Sequence, residues 1–441
     1  MLSSRLPKDL SPSPFFAELE CAKADVLAEC AGTNTLPFID MTVSSPVKAG
    51  LPVDLDDAVD EGRKAFGNWN PDASGWKSTR EAVVDYYRQR GGSFTAGQII
   101  LTASTSEAYS VLFKTFCDPG DVILTPMPGY PLLDTLAQLE HLECAPYFLK
   151  LKRERFDKLT DLKKVTERRS APAEVNAFRF VLDSDSLLAA PEHAKILLLV
   201  SPHTPTGHCV SREEWNEAVR FCEENNMILV VDEVFGDYAF TDKVSRTWQY
   251  VFDSCHPERN EVESMDLWDA GGGDFINLPE DGPKCPIFWL NGLSKAVGSP
   301  QLKLGWMAFY APRENFEEIR AALEFVEDAY LSVSAPAQAL GISLLPKASA
   351  YESKVLDRLQ QNWQTLREAF PSKYCPEVLG GWYAVVRLGD DDEELTLRLL
   401  RKKHVLVQPG FFFDFDEDGW VVMSLLQDPA IFKEAIQRIK Q

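Results

Sequence analysis

Positive charge is scarce in this chain: 45 lysines and arginines stand against 67 aspartates and glutamates, a net charge of −22. A surface of that sign repels phosphate backbones and anionic lipid, which argues against nucleic acid or a membrane as partner. Cys-x-x-Cys pairs are absent. The nine cysteines are scattered and odd in number, and the six histidines do not cluster with them, so no disulfide framework and no metal site is expected. Buried free thiols in a reducing compartment fit better. No apolar run reaches membrane-spanning length, and no hydrophobic signal core accompanies Arg5 and Lys8. A cytoplasmic protein is the expectation. Internal repeats and low-complexity tracts are lacking too.

What is present is material for a large core. Hydrophobic residues make up 45% of 441 positions and aromatics 11%, more than one core usually serves, so two domains are expected. In the stretch FWLNGLSKAVGSPQLKLGWMAF, Lys295 falls in a short turn between two apolar runs. Desolvation there would lower its pKa and free the amine to attack carbonyls; a solvated loop lysine is the plainer reading.

Upstream, IILTAS reads as a strand and STSEAYSVLFKTFC as a helix opening on Ser104, Thr105 and Ser106. Hydroxyls at a helix start suit an anion, or simply cap the helix. Tyr130, in the PGYP turn, is either a core aromatic or a stacking platform. ILLLVS (196–201) and MILVV (227–231) are unbroken apolar runs, as for strands buried on both faces of a parallel sheet. The first runs into PHTPTG and the second into Asp232-Glu233. Carboxylates at a strand's C-terminal end lie where open α/β sheets place their ligands, although an aspartate there also caps turns.

The remaining segments set the organisation. Residues 1–49 read as an N-terminal arm joining a small domain, 50–310 as a large α/β domain with a mostly parallel sheet flanked by helices, and 311–441 as a smaller α+β domain. Residues 151–192 look charged, irregular and partly helical. Residues 242–285 read as an acidic insertion, a surface loop or subdomain edge.

Taken in order, the hydroxyl cluster after a strand, the PTG turn, the strand-end Asp-Glu and the Ser-Lys pair resemble the fold-type I pyridoxal-phosphate-dependent enzymes of the class I/II aminotransferase family. The likeness covers roughly residues 35–430. It implies that Lys295 forms a Schiff base with the cofactor aldehyde and shuttles the substrate's α-proton, while Asp232 keeps the pyridine nitrogen protonated. It further implies phosphate binding by Ser104, Thr105, Ser106, Ser294 and Lys303, a ring stacked on Tyr130, and Thr204 facing the ring oxygen. An amino donor and a keto acid acceptor would be the substrates, and a homodimer the assembly.

Departures from the family pattern accompany the likeness. Thr204 stands where relatives commonly have asparagine, Phe235 where they have tyrosine, Lys303 where they have arginine, and Gly292 where they often have serine. Trp69 and Asn70 occupy the loop from which a tyrosine reaches the neighbouring subunit's site. The arginine that clamps the substrate carboxylate in many relatives would fall at Val422; Arg387 is the nearest alternative, or a surface arginine. Phe411, Phe412, Phe413 and Phe415 line an apolar substrate pocket or pack the small domain. These departures leave two other readings open: a lyase, decarboxylase or cyclase on the same cofactor, or a non-catalytic descendant. Retention of both Lys295 and Asp232 argues against the latter.

Overall fold

Unbroken apolar runs need cover on both faces, and the chain supplies it by interleaving strands with helices. The computed structural model describes the chain apart from residues 1–2, 4, 8, 12, 32–36, 157–174, 192, 242–243, 255–281 and 390. After β1 (Ile39–Asp40), eight strands form one sheet: β2 (Ile99–Thr102), β3 (Val122–Met127), β4 (Glu143–Phe156), β5 (Val175–Leu182), β6 (Ala194–Val200), β7 (Ile228–Asp232), β8 (Ile287–Gly292) and β9 (Gly305–Tyr310). Their order is β2-β9-β8-β7-β6-β3-β4-β5. Neighbours from β8 through β4 pair in parallel, while β9 and β5 run against theirs. Alternate residues feed two cores. Leu197, Leu199, Leu229 and Val231 join one, and Ile196, Leu198, Ile228 and Val230 the other.

The smaller sheet is antiparallel, with β10 (Tyr383–Arg387) and β12 (Gln408–Pro409) on either side of β13 (Trp420–Ser424). The arm joins this unit: β1 pairs in parallel with β11 (Val405–Leu406). The helix Pro14–Glu29 also sets Phe15 edge-on against Phe411, ring centroids 5.3 Å apart.

Three sequence expectations need correction. Among the described residues of 151–192 the chain is not irregular but mostly strand, with one short helix at Ser184–Leu188: β4 continues to Phe156 and pairs antiparallel with β5, from Leu149↔Leu182 to Phe156↔Val175. Charges on the open face of this ribbon, such as Lys152, hide the alternation of Leu149, Phe180 and Leu182 into the core. Within 242–285, the described part is no surface loop: Thr247–Ser254 is a helix whose Trp248 is fully buried, and residues 255–281 lie outside the description. The helix Phe316–Asp328 packs on the large sheet, and Ala335–Leu344 on the helices Asp56–Ala65 and Lys77–Arg88, rather than with the small sheet. Phe316 stacks on Phe309 of β9 at 4.9 Å, because both rings belong to the same apolar face.

Two glycines bring the strand ends together. Gly305 pairs with both Gly292 and Thr102. A Cβ on Gly292 would lie 3.0 Å from the Gly305 Cα and 3.0 Å from the Leu304 carbonyl oxygen. Any side chain there presses on the facing strand, which must give by a few tenths of an ångström. Since Gly292 has an extended backbone that any residue adopts, Gly292→Ala tests crowding alone. Urea denaturation is expected to show a loss of about 1–2 kcal/mol; an unchanged midpoint would contradict this packing.

Candidate active site

At the C-terminal edge of the large sheet, β3 neighbours β4 on one side and β6 on the other, so the connections diverge there, the place where open α/β sheets put their ligands. The turn after β3 carries Tyr130 and the turn after β6 carries Thr204. Two strands along, Asp232 closes β7 in register with Leu290 of β8, and Lys295 follows β8 in the short helix Leu293–Ala296.

Asp232 is held from two sides. Its Oδ2 accepts the Tyr109 hydroxyl at 2.7 Å, and its Oδ1 accepts the Val234 amide at 3.0 Å. Burial raises its pKa above the ordinary carboxylate value, against the pull of the Val234 amide, the Tyr109 hydroxyl and the Lys295 charge. Tyr109 itself is buried, and burial together with Asp232 pushes its hydroxyl well up, so it stays a donor.

Lys295 meets the opposite side of this charge balance. Burial lowers its pKa to about 8, with Asp232 holding it from falling further. At neutral pH roughly a tenth of such amines are unprotonated, against well under a thousandth for a solvated lysine. The ammonium nitrogen lies 4.6 Å from the ring centre of Trp382 and 5.2 Å from that of Phe235. The Tyr238 hydroxyl donates to the Lys295 carbonyl oxygen at 2.6 Å, which fixes the turn. A solvated loop lysine this is not.

The helix Thr105–Phe116 begins beside these strand ends, because a Cβ on Gly305 would lie 3.1 Å from the Ser104 carbonyl carbon. Both sequence readings of its start have support. The Ser104 Oγ accepts the Glu107 amide at 3.2 Å, a cap, and the Glu107 carboxylate in turn accepts the Ala103 amide and the Ser332 hydroxyl. The amides of Thr105 and Ser106 face out from the first turn, where no intrahelical acceptor exists, and the helix dipole favours an anion there. Ser294 is partly buried next to Lys295; Lys303 is exposed, in a left-handed turn two residues before Gly305.

Tyr130 is half exposed, and burial and Asp232 together raise its pKa. Its turn is anchored by the Gly129 amide, which donates to the Phe413 carbonyl at 2.8 Å. Tyr383 is its neighbour: burial pushes that hydroxyl up to about 12, eased by the Ser44 hydroxyl of the arm. Thr204 is buried in the turn after β6.

Other candidates lie elsewhere. Arg387 closes β10 four residues beyond Tyr383, about 13 Å along the strand, and pairs with Glu417. Val422 is fully buried between Val385 and Gln408. Trp69 is 79% exposed, and with Asn70 it lines a separate open cleft that also includes Glu327, Ser332 and Gln338. The phenylalanine run serves packing: Phe411 and Phe412 meet Phe15 and Phe16, Phe413 is buried, and Phe415 stacks on Trp420. Sequence reasoning missed Tyr109, Tyr238 and Trp382. For Trp382 one signal existed: Gly380-Gly381 just before it marks a close backbone approach.

The site thus pairs a partly neutral amine, able to attack a carbonyl, with a carboxylate suited to a cationic ring nitrogen and a helix start suited to an anion. Comparison with known proteins bears on the fold and the family. Solved structures of similar fold include an alanine aminotransferase from Pyrococcus furiosus (TM-score 0.72, 20% identity, 97% of this chain and 98% of that one). Another is an aspartate aminotransferase from Thermotoga maritima (TM-score 0.72, 19% identity, 100% and 99%). By sequence, the chain is 24% identical over 382 residues to a glutamate-pyruvate aminotransferase from Haemophilus influenzae, covering 83% of this chain and 81% of that protein. It is 24% identical over 384 residues to a tyrosine aminotransferase from Caenorhabditis elegans, covering 85% and 71%. The profile of the family "Aminotransferase class I and II" matches residues 49–439, and the chain belongs to that family of pyridoxal-phosphate-dependent transaminases.

Proposed function

We propose that this transaminase moves an amino group between an amino acid or related amine and a keto acid, with Lys295 as its reactive amine and Asp232 as the partner of the cofactor ring. The observation that carries the reading is the placing of a lysine amine, packed over the rings of Trp382 and Phe235, beside a partly buried carboxylate at adjacent strand ends. The residues fit pyridoxal phosphate. The open amides of Thr105 and Ser106, the hydroxyls of Ser104, Thr105, Ser106 and Ser294, and the charge of Lys303 would receive the phosphate. Asp232 would take the ring nitrogen, Thr204 the ring oxygen, and Tyr130 the ring face. Bound there, the cofactor supplies an electron sink at the substrate's α-carbon. The chain's own part is proton handling: the Lys295 nitrogen, free of its proton in a useful fraction, accepts the α-proton and returns it.

Two further features belong to this reading. Phe66, Trp69 and Phe325 are each more than three-quarters exposed, and a second copy, as in a homodimer, would cover exposed aromatics of this kind. Free cysteines among the described residues, Cys209, Cys222 and Cys375 buried among them, suit the reducing cytoplasm. No described helix is long and apolar enough to cross a membrane.

Addition of pyridoxal phosphate to the purified protein is expected to give a visible absorbance band that Lys295→Ala lacks. Amino acids should bleach it and keto acids restore it; a broad amino-donor panel without effect would refute the transamination reading. Because only the neutral amine reacts, cofactor uptake should speed up as pH rises and level off above about 8. Tyr109→Phe removes a donor to a charged acceptor, so it should raise the pKa of Asp232 and weaken cofactor retention about tenfold or more. Retention equal to that of the parent would show that the 2.7 Å contact has no functional weight.

A further inference from the structure

We propose that Trp382 is a positioning residue for Lys295, its indole face and the ring of Phe235 forming an aromatic clamp that holds the ammonium until it loses its proton. The idea builds on the role given to Lys295 above. Its basis is geometric: the nitrogen lies 4.6 Å from one ring centre and 5.2 Å from the other, and the two rings are 5.2 Å apart. A cation within about 6 Å of an aromatic face is attracted by the ring quadrupole, most strongly for tryptophan and where water is excluded. Trp382 is fully buried.

The clamp is built into the scaffold through Tyr238. Its carbonyl accepts the Gly381 amide at 2.9 Å, its ring packs on Trp382 at 5.2 Å, and its hydroxyl holds the Lys295 carbonyl oxygen. The bend carrying Trp382, just before β10, and the short helix carrying Lys295 are therefore tied to one residue. A Cβ on Gly380 would lie 2.7 Å from the same Tyr238 carbonyl, so the approach depends on glycine. Asp232, at the end of β7, is the charged group that acts on the amine, and it does so through space. Tyr109 donates to Asp232 and Tyr130 feels its charge, and both remain neutral hydroxyls with raised pKa values.

The indole N–H decides what kind of help Trp382 gives. It is buried and meets no acceptor among the described residues. The side chain then contributes a π face and volume, not a hydrogen bond, and phenylalanine should replace it where leucine cannot. The attraction acts on the ammonium alone. Loss of the proton removes it, so the clamp releases the nitrogen in the form that attacks carbonyls.

Trace labelling with acetic anhydride across a pH series, read on the Lys295 peptide by mass spectrometry, tests this on the cofactor-free protein. The parent should inflect near 8. Trp382→Leu keeps the site apolar and removes the face, so its inflection should fall, with about three- to tenfold more labelling of Lys295 at neutral pH. Trp382→Phe should stay near the parent. A leucine variant that labels like the parent, or a phenylalanine variant that moves as far as leucine, overturns the proposal. Should Trp382→Leu fail to fold, Phe235→Leu removes the other wall and should move the inflection the same way by less; no movement overturns the proposal equally. Labelling needs no cofactor, so a protein that refuses pyridoxal phosphate would sink the functional reading while this result stood by itself.

Discussion

Two opposite charges taken out of water at neighbouring strand ends govern this site. Burial alone would neutralise both, driving the Lys295 pKa down and the Asp232 pKa up, and each is restrained by the field of the other. The outcome is an intermediate poise for the amine that neither charge would hold alone. A lysine at about 8 keeps a usable neutral fraction while still able to hold a proton, which is the requirement for an amine that must both attack a carbonyl and move a proton.

The scaffold behind this pair is itself polar and closed. Asp237 accepts from Tyr86, Arg90 and Arg246, and Arg90 also meets Glu352 on the long helix Ala348–Ala369. Burial would raise the Asp237 pKa, but Arg246 and Arg90 hold it well below the usual range. Asn291, near the end of β8, reaches the Tyr86 hydroxyl of this network at 3.2 Å, and Glu233, next to Asp232, separately receives the Thr247 hydroxyl at 2.6 Å. Tyr238, next to Asp237, carries this rigidity to the Lys295 carbonyl. Buried networks of this kind hold one geometry when every member is satisfied.

Much of the plan was legible in the residues. ILLLVS and MILVV could only be doubly covered strands, and the polar residues that end them, together with Lys295 after the third apolar run, marked one sheet edge. What escaped was information carried by distance in sequence. Tyr109 is 123 residues from Asp232, and nothing local in its helix signals that its hydroxyl points at a strand end. Trp382 reads as one more strand aromatic until its ring is found over Lys295. In the β4–β5 ribbon, one face is solvated and dense with charge, so alternation was masked and an irregular, partly helical segment was expected. The departures Gly292 and Phe235 gained physical reasons only in three dimensions: the first stands where strand ends touch, and the second offers a ring face to the amine in place of a donor.

The claim that matters most is that one amine, Lys295, is the point of covalent capture beside Asp232. Borohydride reduction of the protein after incubation with pyridoxal phosphate, followed by peptide mapping by mass spectrometry, reads that directly. The account predicts the reduced cofactor on the peptide containing Lys295, with little elsewhere. Modification spread over surface lysines, with Lys295 untouched, would contradict it.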